Sequence, residues 1–390
     1  MTGPIYLDHH ATTPCDPAVV AAMAPWWSEH FGNAASRSHG AGLRARRATE
    51  EARRQVAGWL GASPKEVVFT SGATEANNLA LFGVVRGSGK ACPHIVTVET
   101  EHAAILDPCE ALERRGEATV TRLPVDEQGL VDPAALRAAL TADTVLVSVM
   151  AVNNEIGVHQ PLPAIAALCR EAGVVLHTDA AQSAYLRLHR REQGLDLISV
   201  SAHKIYGPKG VGALIVRRGR PKLVLEPLLY GGGHERGLRS GTLPVPLLVG
   251  FGAAAELAAT HRDAEASRLR ALSHRLLEQV RAVGGVALVG HPTERAPHNL
   301  SLRFDGVEAE ALLLGLRDTV SVSTGSACSS ADLQPSHVLA ALGLSRRGRA
   351  AILRFGLGRT TTEAEVDTAA AAIVAKVKDL RAMARLYEPD

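Results

Sequence analysis

The chain has 390 residues, of which 46% are hydrophobic and 21% are charged. This composition fits a soluble globular protein with room for two domains, and it excludes a disordered chain. The 42 basic and 40 acidic residues leave a net charge of +2, which is too small to indicate nucleic-acid binding as the main role.

The amino-terminal residues lack a basic and apolar signal region, and no apolar run approaches the roughly 18 residues of a membrane span. We therefore expect a cytoplasmic protein that does not act at a membrane. The cysteines are odd in number and scattered, which predicts reduced thiols and neither a disulfide framework nor a metal site. They are Cys15, Cys92, Cys109, Cys169 and Cys328.

Short apolar runs alternate with helical patterns between residues 60 and 216. This alternation predicts an α/β fold with a large, mostly parallel sheet. The last two runs have no helix between them, so we expect one of them to be antiparallel, at the edge of the sheet. The runs cover residues 67–70, 94–98, 119–123, 144–149, 174–178, 195–200 and 211–216.

A long alanine-rich helical pattern covers residues 250–283, and the order of elements changes after it. Three strand-like runs then mix with helices, at residues 286–289, 298–304 and 351–355. The change predicts a second, smaller domain. We expect a large domain over residues 15–255 and a small α+β domain over residues 256–390, joined by the segment 1–14.

Lys204 follows the apolar run 195–200 and precedes a turn with Gly207 and Pro208. An amine in this place lies at the carboxyl end of a strand, where open α/β sheets bind their ligands. A partly desolvated lysine there is the nucleophile that a Schiff base requires. A strand-terminal lysine that merely faces solvent is the alternative.

Two other junctions carry groups that suit the same chemistry. Residues 71–78 follow a strand and open a helix, so the amides of Ala73 and Thr74 could bind a phosphate, or could form an ordinary helix start. Asp179 ends another apolar run and could hold a ring nitrogen protonated, a pairing that recurs beside a Schiff-base lysine in pyridoxal phosphate enzymes. A buried aspartate bonded to its neighbours is the alternative.

Four further residues are candidates for a site. His102 begins a predicted helix, where it could stack on a flat cofactor and exchange protons, or could cap the helix. Asn153 lies in a polar turn and could bond a ligand oxygen, or could serve the turn alone. Cys328 lies in a small, polar stretch that should be exposed, whereas the other four cysteines lie in patterns typical of buried thiols. Arg354 lies in an apolar strand, so it must meet either a ligand carboxylate or a buried acid.

Together these segments resemble the class V aminotransferase-like enzymes, and more closely the NifS/IscS-type cysteine desulfurases. The resemblance implies the pyridoxal-phosphate-dependent transferase fold (aspartate aminotransferase-like, fold type I), with a seven-stranded large domain and a smaller α+β domain. It covers nearly the whole chain, through motifs at residues 6–8, 11–14, 31–33, 36–39, 69–75, 152–157, 201–210, 231–235, 239–242, 325–328 and 354–355.

The resemblance implies a role for each candidate residue. Lys204 would carry pyridoxal 5'-phosphate, His102 would stack on its ring, Asp179 would pair with the ring nitrogen and Gln182 would reach the ring hydroxyl. The phosphate would be held by Ala73, Thr74, Ser201 and His203, and by Thr242 of a neighbouring subunit, which implies a homodimer. Asn153 and Arg354 would hold the substrate carboxylate, Asn153 also lying against the cofactor.

The implied reaction converts L-cysteine to L-alanine. Lys204 would remove the α-proton, His102 would help to ionise the substrate thiol, and Cys328 would take the sulfur as a persulfide. The partner implied is a sulfur-acceptor protein, such as an iron-sulfur scaffold or a tRNA-thiolation protein. The chain carries His9 and His10 where relatives more often have asparagine, serine or tyrosine.

Two other interpretations of the sequence stay open. The first is a selenocysteine lyase, or another β-eliminating or transaminating enzyme, that does not use Cys328. The second is a sulfur-relay or scaffold protein that has kept the fold but acts by protein contact alone.

Overall fold

The computed structural model describes residues 3–219, 221–324, 336–344 and 350–386. In chain order its strands are β1 Ile5–Tyr6, β2 Val67–Thr70, β3 His94–Val98, β4 Thr119–Leu123, β5 Thr144–Ser148, β6 Val175–Asp179, β7 Leu197–Ser201, β8 Gly212–Val216, β9 Val286–Leu288, β10 Asn299–Asp305, β11 Val320–Ser321 and β12 Ala350–Gly356. Its helices are α1 Pro17–Met23, α2 Pro25–Ser28, α3 Gly40–Trp59, α4 Ala73–Gly87, α5 Ala103–Arg114, α6 Pro133–Ala139, α7 Leu162–Ala172, α8 Arg190–Gln193, α9 Val245–Arg281, α10 Ala309–Leu316, α11 His337–Ala341 and α12 Glu363–Leu386.

The large sheet has seven strands in the order β2-β8-β7-β6-β5-β3-β4. Each predicted run between residues 67 and 216 forms one of them, and the α/β fold is confirmed. Strand β8 is antiparallel to both of its neighbours, while the other pairs are parallel. The antiparallel strand was expected at the edge of the sheet, and this was wrong, because β2 pairs with the outer side of β8 and forms the edge itself.

Most strands of this sheet are buried because helices cover both faces; the edge strand β4, of which only Leu123 is buried, is the exception. Every residue of β2, β3, β7 and β8 is buried. Successive side chains of a strand point to opposite faces, and in β7 Leu197 packs with α4 and α5 while Ile198 packs with α3, α7 and α9. Apolar residues on both faces explain why the strands appear in the sequence as continuous apolar runs.

The last part of the chain forms an antiparallel sheet, β12-β10-β9, with α10 and α12 packed in the same core. Helix α9 connects the two parts, because Leu248 and Phe251 belong to the core of the large sheet and Leu269 and Leu276 belong to the smaller core. Strand β1 pairs with β11, which ties the amino-terminal segment to the smaller part. The predicted boundary at residue 256 falls inside α9, and the division into domains stays a prediction.

The cysteines were expected to be buried apart from Cys328, and this was wrong for one of them. Cys109 and Cys169 are buried and Cys15 is half-buried, but Cys92 is exposed, in the turn between α4 and β3. An apolar neighbourhood in sequence does not bury a residue that lies in a turn. Cys328 lies outside the described residues. Among the helices that the structure describes, none combines the length and apolar character needed to cross a membrane.

Candidate functional site

A cavity of about 780 Å³ lies at the carboxyl ends of β6 and β7, against the amino-terminal end of α4. Most of the residues singled out from the sequence line it: Ala73, Thr74, His102, Asp179, Gln182, Ser201, His203, Lys204 and Arg354. Two do not, since Asn153 lies behind the wall and Thr242 is exposed elsewhere; Cys328 is outside the described residues. The grouping follows from the parallel strands, because their carboxyl ends meet at one edge of the sheet.

Lys204 ends a short helical turn, Ala202–Lys204, directly after β7. Its Nζ donates hydrogen bonds to the backbone carbonyls of His10 and of Ala11, the second at 2.8 Å. The amino-terminal segment is itself fastened to this turn, since the hydroxyl of Thr13 donates to the carbonyl of His203 at 2.8 Å. The amine of Lys204 is therefore held in the cavity by backbone groups that carry no net charge.

Asp179 is the last residue of β6, and its carboxylate is bonded on both oxygens. Asn77 Nδ2 donates to Oδ2 at 2.7 Å, and the amide of Ala181 donates to Oδ1 at 2.9 Å. Each carboxylate oxygen of Asp179 thus has an N–H donor. Glu101 is fully buried nearby, and burial, together with the negative charge of Asp179, raises the pKa of Glu101 well above its usual range. Asp179 faces the cavity, whereas Glu101 lies behind it.

The part of the cavity at the start of α4 suits an anion. Helix α4 begins at Ala73 after Gly72, which has no side chain to cap the first-turn amides, and such amides bind phosphate groups at helix amino termini. Ser201 and His203 lie beside them, and Thr12 Oγ1 lies 3.1 Å from His203 Nδ1. Burial, with added repulsion from nearby lysines, lowers the pKa of His203 to about 4. His203 is therefore neutral near pH 7.

His102 is the N-cap residue of α5, and its Nδ1 accepts a hydrogen bond from the amide of Ala104 at 3.0 Å. The proton of a neutral His102 must then be on Nε2, since Nδ1 is acting as an acceptor. The sequence left two roles open for this residue, a helix cap and a wall of the cavity. The structure gives it both.

Asn153 is fully buried, and its amide bonds within the protein. Nδ2 donates to the carbonyl of Thr100 at 2.9 Å, and Oδ1 accepts from the amides of Glu155 and Ile156 at 2.8 and 3.0 Å. These bonds fix the turn that carries Asn154, which does line the cavity. A direct role of Asn153 toward cofactor or substrate stays a prediction.

Arg354 lies on β12, is 2% exposed and lines the cavity. Its Nη2 lies 2.8 Å from Oδ1 of Asp8, and its Nη1 donates to the carbonyl of Asn154 at 2.9 Å. One of the two partners expected for a buried arginine, an acid, is thus present, although Asp8 is itself only half-buried. A role toward a ligand carboxylate stays a prediction that its place in the wall supports.

Several residues of the wall were not predicted: His10, Asn77, Asn154, Glu155, Ser336 and His337. Asn77 has a signal in the sequence, since it lies four residues after Ala73 and so on the same face of α4. The others are brought in by long-range contacts. Ser336 Oγ, for example, donates to Glu155 Oε2 at 2.6 Å across 181 residues of chain.

Residues 5–368 match the class-V aminotransferase family. The chain belongs to this family. Within it, the chain is 52% identical over 387 residues to a cysteine desulfurase IscS of Anaeromyxobacter sp. (strain Fw109-5), with 99% of this chain and 95% of the relative covered. The likeness to known proteins thus extends over nearly the full length of both chains.

Solved structures agree with this membership of the class-V aminotransferase family. A NifS-like protein superposes with a TM-score of 0.89 at 34% identity, covering 96% of this chain and 100% of the other. A structure described as SspA in complex with cysteine gives a TM-score of 0.79 at 34% identity, with 90% and 98% covered. The fold inferred from the sequence is confirmed.

Proposed function

We propose that this protein is a cysteine desulfurase that converts L-cysteine to L-alanine and transfers the sulfur to Cys328. The observation that carries the proposal is the meeting of Lys204, Asp179 and His102 in one cavity with the open start of α4. The relative of Anaeromyxobacter, at 52% identity over almost the whole chain, is a cysteine desulfurase by name and supports the same activity.

The residues present fit pyridoxal 5'-phosphate. An anion site, a buried carboxylate and an amine are what its phosphate, ring nitrogen and aldehyde require, and they line a single cavity of about 780 Å³. When bound, this cofactor supplies an electron-accepting ring that stabilises negative charge on the substrate Cα. The amides of Ala73 and Thr74 would hold the phosphate with Ser201 and His203, and Lys204 would hold the cofactor covalently. Asp179 would pair with the ring nitrogen, His102 would lie against the ring face, and Gln182 would reach the ring hydroxyl.

Side chains of the cavity bind the substrate and transfer protons in this proposal. Arg354, set by Asp8 and Asn154, binds the α-carboxylate of L-cysteine. Lys204 removes the proton from Cα; after the sulfur has left, one proton is added to Cβ, which becomes the methyl group, and one is returned to Cα, which gives L-alanine. His102, whose Nδ1 is held by the amide of Ala104, takes up or releases a proton at the substrate thiol.

Cys328 receives the sulfur in this proposal. Its thiolate attacks the substrate sulfur, a sulfur-sulfur bond forms, and the bond between that sulfur and the substrate Cβ breaks. The electron pair of that bond stays with the carbon, which is then protonated. The products are L-alanine and a persulfide on Cys328, so that no outside oxidant or reductant is needed to form the persulfide.

The proposal extends to the surroundings of the enzyme. The protein acts as a homodimer in the cytoplasm, and Thr242, which is exposed in this chain, reaches the phosphate of the neighbouring subunit. The persulfide passes to a sulfur-acceptor protein, for iron-sulfur cluster assembly or tRNA thiolation.

Alanine and sulfide formation from L-cysteine in the presence of a thiol reductant tests the proposal. The Cys328→Ala and Lys204→Ala variants should each lose sulfide release, and the second should also lose the visible absorbance of the lysine-bound cofactor. The exposed Cys92 gives a matched control, and Cys92→Ala should retain the activity. If Cys328→Ala releases sulfur at the unaltered rate, the lyase or transaminase interpretation replaces this one. A wild-type protein with neither bound cofactor nor activity would favour a scaffold.

A further inference from the structure

We propose that His10 is a positioning residue that orients the amide of Gln182, so that an N–H and not the oxygen faces the ring hydroxyl of the cofactor. This inference rests on the proposed function, because it requires pyridoxal 5'-phosphate in the cavity. His10 lies just before the segment that holds Lys204, is 1% exposed, and lines the cavity together with Gln182.

Two hydrogen bonds fix how the Gln182 amide is turned. Its Oε1 lies 3.0 Å from Nδ1 of His10, and its Nε2 donates to the backbone carbonyl of His10 at 3.0 Å. Turning the amide over would place Oε1 against that carbonyl, and two acceptors would then repel each other. An amide oxygen can only accept, so Nδ1 of His10 carries the hydrogen.

The protonation of His10 agrees with this arrangement. Burial lowers the pKa of His10 well below its usual range, and His298, Arg354 and Lys204 add to the effect. These are the groups that face it, from the segment before β10, from β12 and from the turn after β7. A neutral imidazole has one N–H, and among the described residues Nε2 has no hydrogen-bond partner that would compete for it.

Packing holds the ring of His10 in place. It stacks on the ring of His298 with centroids 4.3 Å apart and an angle of 33° between the planes. On another side, a Cβ added to Gly356 would lie only 2.8 Å from Cδ2 of His10. The ring is therefore packed closely on two sides, and the hydrogen bond to Gln182 determines which edge carries Nδ1.

This orientation of the Gln182 amide leaves the second hydrogen on Nε2 for the cofactor. One amide hydrogen is committed to the carbonyl of His10, so the other is available to a molecule in the cavity. With the cofactor bound, a donor from Gln182 would stabilise the anionic form of the ring oxygen and so lower the pH at which the bound cofactor loses a proton. Without that donor, this proton is held more tightly.

The test is a pH titration of the visible absorbance of the purified enzyme with its cofactor bound. His10→Phe keeps the aromatic ring and the backbone carbonyl but loses the N–H, so Gln182 keeps one of its two hydrogen bonds and is held less firmly. The midpoint should therefore rise, by up to about one pH unit. In His10→Asn, whose amide nitrogen can replace Nδ1 as a donor, the midpoint should return toward the wild-type value. The matched control is His9→Phe, since the neighbouring ring packs on Tyr6 with centroids 4.9 Å apart, and its midpoint should not move.

A second variant shows whether His10 acts through Gln182. Gln182→Leu should raise the midpoint as His10→Phe does, and combining the two should add nothing further. An unchanged midpoint in His10→Phe, or a shift that persists undiminished in the Gln182→Leu background, would overturn this role. If the wild-type protein forms alanine and binds cofactor while His10→Phe titrates normally, only this inference fails. If the wild-type protein has no lysine-bound absorbance, the proposed function fails with it.

Discussion

Replacing Arg354 by lysine tests the substrate side of the cavity. The substitution keeps a positive charge but loses the planar arrangement of N–H groups, which matches a carboxylate with two parallel bonds. Arg354 is 2% exposed and is oriented by Asp8 at 2.8 Å and by the carbonyl of Asn154 at 2.9 Å. The guanidinium is therefore preorganised, and a lysine amine cannot occupy both positions.

The expected loss follows from one charge-assisted hydrogen bond, which contributes about 1.5–3 kcal/mol. At about 1.4 kcal/mol per tenfold change, kcat/KM for L-cysteine should fall by roughly 10- to 150-fold. The fold should survive, because the side chain of Asp8 is 17% exposed and water can solvate it when its partner is altered. A fully buried acid would not be protected in this way.

A pair of inhibitors separates carboxylate binding from general damage to the site. L-Alanine carries the α-carboxylate and ethylamine lacks it, and both are tested as inhibitors of sulfide release from L-cysteine. Arg354→Lys should weaken inhibition by L-alanine by the same roughly 10- to 150-fold and leave ethylamine unaffected. Arg303→Lys, on the neighbouring strand β10, should change neither. Equal weakening of both inhibitors would refute a contact between Arg354 and the carboxylate.

Two further predictions concern buried groups. Burial lowers the pKa of His177 to about 3, so the unfolded chain binds this proton first as the pH falls below the ordinary value of 6.5. The contribution of His177 to the free energy of unfolding is complete above pH 6.5 and is lost toward pH 3, at up to about 1.4 kcal/mol per pH unit. Urea unfolding at several pH values should show a weaker dependence of this free energy on pH for His177→Asn. An identical dependence on pH would contradict the lowered pKa of His177. Burial also raises the thiol pKa of Cys109 and of Cys169 to about 12, so iodoacetamide should label Cys92 in the native protein and spare these two. Peptide mass spectrometry reads the labels, and equal labelling of Cys92 and Cys109 would count against the burial.

The fold was predictable because its strands are buried on both faces and therefore appear as continuous apolar runs. The same sequence could not place β8, since its outer neighbour β2 lies far back in the chain and the turn after β7 fixes only one side. The exposure of Cys92 was missed for a related reason, because burial depends on neighbours from elsewhere in the fold. Local pattern determines the elements, and long-range pairing determines which of them lie at an edge.

The site was predictable where its residues lie at junctions of elements. Asp179 and Ser201 end strands, and Ala73 begins a helix, so the parallel sheet brings them to one edge. Contacts between distant segments were not predictable. Asp8 contacts Arg354 across 346 residues of chain, and the sequence around each residue does not indicate the other as its partner.

Mass spectrometry of Cys328 tests the central claim most directly. The enzyme with its cofactor bound is treated with L-cysteine in the absence of a reductant, and peptides are then compared with those of untreated protein. We expect a gain of one sulfur atom on Cys328, absent in Lys204→Ala and unchanged in Cys92→Ala. Alanine formation without added sulfur on Cys328, or with the sulfur on Cys92 instead, would contradict it.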